Sequence, residues 1–382
     1  MELHLGEPIV VSRAPVGLKN WGPWQFPAIE RIADGRLHAS FHIEADSAKA
    51  YGMPVGHAVS SDNGATWLEL DDTPAGSGMA LPNGDRLRAA PLRSRPATNL
   101  SLPPSIGSCK GSYGGTYDFY SMADLSDELR DGWHFARLAA GQTEWRDEKA
   151  IVRLPGEMRY VTEGVFTFPW VYRMRLAPDG SLWGMYYGWR TPAHTWQPRG
   201  ASVLLRSIDN GHTWDMQSEI KHQGDPETDP KWDVWDGFGE PNVGFLPDGS
   251  MICLLRTTEG HGIGPLYATW SYDNGVTWIR PRVFDDRGVW PAIVELKNGV
   301  TLASYGRTGL FVRATSDPAG RIWADKVAVV EPLAYQTDTC SYSDMIVLDD
   351  RTALIIYSNF QWPNADGIPC KTIMVRTITA TP

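Results

Sequence analysis

A carboxylate, a phenol, two guanidinium groups and an imidazole occupy related places along this chain: Glu240, Tyr342, Arg256, Arg307 and His42. Together such groups can move protons and hold a polar or anionic substituent. They are far apart in sequence, so any joint chemistry needs a fold that returns repeatedly to one place. Two sets of repeats supply it.

The first repeat is Ser-x-Asp-Asn-Gly-x-Thr-Trp, at Ser60–Trp67, Ser207–Trp214 and Ser271–Trp278. A degraded copy runs from Thr315-Ser316-Asp317 to Trp323. Asp bonds backbone amides beyond itself, and Asn and Gly accept positive φ, so Asp-Asn-Gly reads as a tight turn. Apolar runs precede each copy, and Thr-Trp returns the chain to a strand. The unit is a β-hairpin, and turn chemistry accounts for its fixed residues as scaffold.

The second repeat is an apolar strand, Asp/Asn-Gly, and another apolar strand. Its Gly-equivalent positions are 35, 84, 180, 249, 299 and 351, spaced 49, 96, 69, 50 and 52 residues apart. Four short strands take about 40–50 residues, the period of a propeller blade. The chain therefore reads as all-β, a six-bladed propeller spanning residues 1–382. The long spacing reads as an insertion in blade two near residues 94–115, a Pro-, Ser- and Gly-rich stretch taken as loop. Ile9-Val10-Val11 is expected to complete the last blade and close the ring, leaving no exposed sheet edge.

In a propeller, equivalent positions of the innermost strands meet near the axis. The residue nine before each repeat Gly is Phe26, Glu240, Trp290 or Tyr342 in blades one, four, five and six. The residue seven after it is His42, Tyr187 or Arg256 in blades one, three and four, and Gly306, beside Arg307, in blade five. This register gathers Glu240, Tyr342, Arg256, His42 and Arg307 around one cavity, which makes them site candidates.

Composition narrows the function. The net charge is −10, and no Lys/Arg run is present, which argues against nucleic-acid and anionic-membrane partners. There is no apolar run long enough to span a membrane, and Met1–Pro8 does not read as a signal peptide. Four widely spaced cysteines without a CxxC pair point to reduced thiols and a cytoplasmic location. No metal-ligand cluster stands out and no cofactor is expected. The acidic stretch Asp225-Pro226-Glu227-Thr228-Asp229 could hold Ca²⁺, but reads first as a solvated loop.

The hairpins, known as Asp-boxes or BNR repeats, and the six-blade count resemble the sialidase superfamily over most of the chain. Within that resemblance, Glu240-Pro241-Asn242-Val243 through Leu255-Arg256 is similar to the segment carrying the catalytic glutamate and the second arginine of a substrate-binding triad. Ser341-Tyr342-Ser343-Asp344 is similar to the segment with the nucleophilic tyrosine, and Arg307 to the third arginine. Of Glu44 and Asp46, Asp46 is preferred for the acid/base aspartate. Where sialidases begin blade one with Arg-Ile-Pro, this chain has Gln25-Phe26-Pro27, so a neutral amide replaces the first arginine. That weakens the carboxylate clamp and opens the reading to another sugar.

The resemblance implies an exo-glycosidase releasing a terminal sugar, expected to be acidic, from an oligosaccharide or polysaccharide. Tyr342 would attack with Glu240 as its base, and Asp46 would be the acid/base. Arg256, Arg307, Gln25, His42, Trp290 and Tyr187 would bind substrate. Trp21, Trp24 and Trp235 could add sugar-stacking faces. A propeller lyase acting on a uronate, with His42 or His57 and a tyrosine as proton carriers, is the alternative. A non-catalytic carbohydrate-binding propeller is the third reading.

Overall fold

The computed structural model describes residues 1–46, 55–90, 93–111, 114–130, 132–156, 158–168, 170–189, 200–257 and 262–382. Among them the regular structure is β, apart from one 3₁₀ turn at Ala97–Asn99.

Six antiparallel sheets follow the repeat. Blade one runs Gln25–Arg31, Leu37–His42, Val55–Ser60, Leu68–Leu70. Blade two runs Met79–Ala80, Arg86–Ala89, His134–Leu138, Arg146–Lys149. Blade three runs Arg173–Leu176, Leu182–Gly188, Ala201–Ser207, Thr213–Ile220, with Ile151–Arg153 added in parallel at its edge. Blade four comprises Gly239–Phe245, Met251–Arg256, Leu266–Ser271 and Arg282–Asp285. Blade five comprises Val289–Glu295, Thr301–Gly306, Leu310–Thr315 and Val327–Val330. Blade six joins Ser343–Val347, Thr352–Pro363 and Pro369–Thr381 to two strands from the start of the chain, Glu2–Leu5 and Ile9–Arg13. The protein is a six-bladed β-propeller, and Ile9–Arg13 pairs with the last strand as expected.

Both repeats have a physical basis in turns. In the inner hairpins the repeat glycine N–H bonds the carbonyl three residues earlier: Gly35 to Ile32, Gly180 to Ala177, Gly249 to Leu246. Gly249 sits at φ 85°, where a side chain would be strained. In the outer hairpins, Ser207 Oγ donates to Asp209 Oδ1 (2.8 Å) and accepts from Gly211 N (2.9 Å). The Trp214 indole donates to the Gly211 carbonyl (2.9 Å). The copies at Ser60 and Ser271 repeat the serine and aspartate bonds. The degraded copy keeps its tryptophan bond, from Trp323 Nε1 to the Gly320 carbonyl (2.7 Å). The core lies between blades. Trp183, Met185 and Leu204 of blade three meet Val243, Cys253 and Leu255 of blade four. Burying each such aliphatic side chain contributes about 1.5–3 kcal/mol.

The stretch 94–115 differs from its reading as a loop. Ser94–Pro96, Gly107–Lys110 and Thr116–Ser121 join Met158–Thr162 and Val165–Thr167 in a separate five-stranded sheet. One face of this sheet has its own core, formed by Tyr120, Val161, Phe166 and Phe168 over Leu125 and Leu129. Its strands are short, and Ser94–Pro96 pairs with a segment far along the chain. Pro and Gly composition hid it.

Candidate functional site

A distortion of the innermost strands builds the site. In blades one, four and five the pairing register slips at the same place: between Gln25 and Ala28, Gly239 and Asn242, and Val289 and Ala292. The extra residue of each β-bulge has positive φ: Phe26 (54°), Glu240 (44°) and Trp290 (43°). A proline, with no N–H to leave unpaired, follows each of them. In blade six a positive φ alone recurs one residue earlier, at Ser341 (63°), ahead of the strand and immediately before Tyr342. Strain of this kind costs on the order of 1–3 kcal/mol per residue and clusters at functional sites. Here it turns four side chains toward the axis.

Those side chains converge. The Tyr342 hydroxyl donates to Glu240 Oε1. Arg256 Nη1 donates to the same oxygen (2.6 Å) and to the Tyr342 hydroxyl (2.9 Å). Glu240 Oε2 accepts the Trp290 backbone N–H at 2.9 Å. Both carboxylate oxygens are thereby held, and Glu240 is only 5% exposed. The Tyr342 ring is stacked on Trp290, with centroids 4.6 Å apart and planes at 17°. The Arg307 guanidinium lies 5.5 Å from the Tyr342 centroid and 5.1 Å from that of Trp21. Arg307 also donates to the Cys340 carbonyl (2.7 Å). Burial, and then the facing Glu240 carboxylate, hold the Tyr342 hydroxyl well above its ordinary pKa. The phenol therefore keeps its proton unless Glu240 draws it off during reaction.

Asp46 stands at the cavity wall. Its carboxylate accepts the Trp21 indole N–H at 3.1 Å, and its N–H bonds the Trp21 carbonyl at 3.2 Å. Between them Gly22 (φ 114°) lies so close that a Cβ would come within 2.2 Å of the Asp46 nitrogen. Only glycine allows this approach. Desolvation raises the Asp46 carboxyl above the usual carboxylate range, against the pull of the Trp21 bond, His42 and Arg307. A carboxyl whose proton is held more tightly by burial suits a general acid.

The other expected residues divide. Tyr187 lines the cavity. His42 stands next to it, edge-on to Phe26 at 5.0 Å, and burial lowers its pKa. Gln25 is fully buried and absent from the cavity lining, and its side-chain amide has no hydrogen-bond partner among the described residues. Trp21 lines the cavity, whereas Trp24 donates to Ser12 Oγ and Trp235 is buried against Asp229. His57 lies on the next strand of blade one, in a chain from Glu30 through His38 (2.8 Å) and His57 (3.0 Å) to Thr73 (3.2 Å). The acidic stretch 225–229 is an internal tether. Asp225 accepts from Thr228 and Arg282, and Asp229 from Trp235 and Tyr267.

Two further features were not anticipated. Arg173 of blade three pairs with Asp344 of blade six (3.2 Å), and Asp344 also accepts the Ile29 N–H of blade one (3.2 Å). The Arg173 guanidinium lies 5.0 Å from the Trp290 ring centroid. Both residues stand seven before a repeat glycine position, so the same register would have found them. The second feature is the extent of the cavity. It encloses about 590 Å³ and runs from the Tyr342–Glu240–Arg256 cluster to the inserted sheet, where Tyr117, Tyr160 and Glu163 line it.

The fold places the chain among solved structures. It is similar to a protein of unknown function from Dyadobacter fermentans, with TM-score 0.64 and 17% identity over 99% of both chains. It is similar to a Hadza microbial sialidase, with TM-score 0.54 and 15% identity over 92% of this chain and 65% of that one. A third similar structure is an α-L-arabinofuranosidase of Fusarium graminearum in complex with an iminosugar inhibitor, with TM-score 0.51 and 15% identity over 96% of both chains. No family model matches the chain, and no curated protein matches its sequence. At these identities the likeness concerns the fold.

Proposed function

We propose that the protein is a glycoside hydrolase that releases a terminal sugar by way of a tyrosine nucleophile. The observation that carries this reading is the triangle of Tyr342, Glu240 and Arg256 in the wall of a propeller cavity. Propeller neighbours described as a sialidase and an arabinofuranosidase support the reaction class.

In the first step Tyr342 Oη bonds to the anomeric carbon, while Glu240 accepts the phenol proton. The glycosidic C–O bond breaks, and Asp46 gives its proton to the departing oxygen. In the second step Asp46 takes a proton from water, which attacks the anomeric carbon. Tyr342 then leaves and recovers its proton from Glu240. Arg256 holds the phenolate oxygen and Glu240 in register and stabilises their negative charge. The sequence predicts net retention at the anomeric carbon.

The charge balance favours an uncharged sugar over the acidic one expected from sequence. Arg256 is engaged by Glu240 and Tyr342, and Arg307 by a carbonyl and two rings. Among the described residues, three carboxylates, Glu163, Asp236 and Glu240, line the same cavity beside Asp46, which enters the reaction protonated. A substrate carboxylate would meet net repulsion there. The test is a screen of neutral and acidic aryl glycosides and glycans with mass detection. Hydrolysis adds one water per bond cleaved and favours neutral sugars. Products with an ultraviolet-absorbing unsaturated uronate would support the lyase instead, and binding without turnover the carbohydrate-binding propeller.

A further inference from the structure

The inserted sheet has a polar–aromatic face that its own core does not use. Strands Thr116–Ser121 and Met158–Thr162 pair so that Tyr117 opposes Thr162 and Phe119 opposes Tyr160. Alternation puts these four side chains on one face, opposite the one that carries Tyr120 and Val161. Phe119 is fully buried beneath the others, whereas Tyr117 and Tyr160 are partly exposed. Tyr117 and Tyr160 lie 5.3 Å apart, and Trp189, from the end of a blade-three strand, lies 5.6 Å from Tyr117. All three line the cavity that contains Tyr342 and Glu240.

Glycines share the cavity lining with these rings: among the described residues Gly111, Gly115, Gly188, Gly200 and Gly237 line it. At Gly111 a Cβ would come within 2.8 Å of the Tyr117 ring. At Gly237 (φ 119°) it would meet the Gly200 backbone at 2.2 Å, where the two segments form a parallel bridge. Aromatic faces on the cavity wall offer a surface for a flat, amphipathic ring. Sugars present C–H faces to aromatic rings and hydroxyls to the rim, where Thr162, Glu163 and Asp236 stand. The volume of about 590 Å³ lies within the range of about 300–1,000 Å³ typical of sites for drug-sized ligands.

We infer that the inserted sheet forms a second sugar subsite, with Tyr117, Tyr160 and Trp189 as its platform, so that the preferred substrate is an oligosaccharide rather than a single sugar on a small aglycone. This rests on the hydrolase reading. It makes the insertion the specificity element of the enzyme, apart from the Tyr342 dyad on the blades. Contacts to the remote ring would contribute binding that truncated substrates lack.

The test compares kcat/KM for a 4-nitrophenyl monosaccharide and a disaccharide of the same sugar, across neutral sugars with 4-nitrophenyl α-L-arabinofuranoside and arabinobiose first. Tyr117→Ala is expected to lower the disaccharide-to-aryl ratio about three- to tenfold, the effect of losing one aromatic contact. Tyr117→Phe, which keeps the ring face, should restore most of that ratio. Tyr160→Ala on the adjacent strand provides an independent measurement if Tyr117→Ala does not fold. A ratio unchanged in both alanine variants, with wild-type turnover intact, overturns the subsite and leaves the hydrolase reading standing. Absence of wild-type turnover on every glycoside overturns both.

Discussion

The Tyr342 hydroxyl and Glu240 Oε1 share a hydrogen bond across 102 residues of chain, and each stands at or beside a positive-φ residue of its own blade. Two strained strands would not converge on one proton for packing alone, because a phenylalanine and a leucine would fill the space. Tyr342→Phe removes the hydroxyl and leaves Glu240 bonded to Arg256. It should lower kcat by at least about 10²-fold while the enzyme stays folded. Steady-state kinetics and the urea midpoint, measured on the same preparation, check both parts.

Glu240→Ala should be more damaging to stability than Glu240→Gln. The alanine removes the carboxylate that pairs with the Arg256 guanidinium in a largely buried place, where breaking an ion pair costs about 3–5 kcal/mol. Glutamine keeps the shape and one acceptor oxygen, enough for one of the two donors, Arg256 or the Trp290 N–H. Denaturant unfolding should rank wild type above Glu240→Gln above Glu240→Ala, with both variants inactive.

Under the proposed mechanism Asp46 is expected to set the basic limb of the pH profile. A general acid works protonated, and desolvation raises the Asp46 pKa. Activity is therefore present below that raised value and is lost as pH climbs through it. Asp46→Asn should flatten the basic limb of kcat/KM and should slow glycosides with poor leaving groups more than nitrophenyl ones. A basic limb that persists unchanged in Asp46→Asn would assign the acid to another group.

Under the proposed function Arg173 is expected to position Trp290 and, through it, Tyr342. Arg173→Met removes the charge opposite Asp344 and the cation over the indole. It should cost about 3–5 kcal/mol of stability through the stranded carboxylate, although Asp344 keeps its bond from the Ile29 N–H. A positioning role also requires kcat to fall more than KM rises, and Arg173→Lys to recover part of kcat. A purely structural role would move the unfolding midpoint alone.

The blades and the dyad were legible because both depend on period. Asp-Asn-Gly turns have chemistry that only a few residues satisfy, and counting from their partner repeat reached Glu240, Trp290 and Tyr342. The bulges were visible as Phe26-Pro27, Glu240-Pro241 and Trp290-Pro291, three prolines at equivalent positions in strands, although their meaning needed the register shift. The same distortion bears on Gln25. The slip beside it makes Phe26, its neighbour, the residue that turns inward, while Gln25 stays buried. The inserted sheet was illegible because it lies off the repeat. Strands as short as Ser94–Pro96 carry too few residues to show alternation, and their partners are set by tertiary pairing. Tyr117 and Tyr160 accordingly gave no signal, despite lining the same cavity as Tyr342.

The proposed covalent step on Tyr342 has a direct test. The protein is incubated with a slow, 2-fluorinated aryl glycoside of a sugar it hydrolyses, quenched in acid, and mapped by peptide mass. A peptide containing Tyr342 heavier by one fluorosugar residue, and absent from Tyr342→Phe, is the predicted result. Turnover of the parent sugar with Tyr342 unlabelled, or with the label on another residue, would contradict the account.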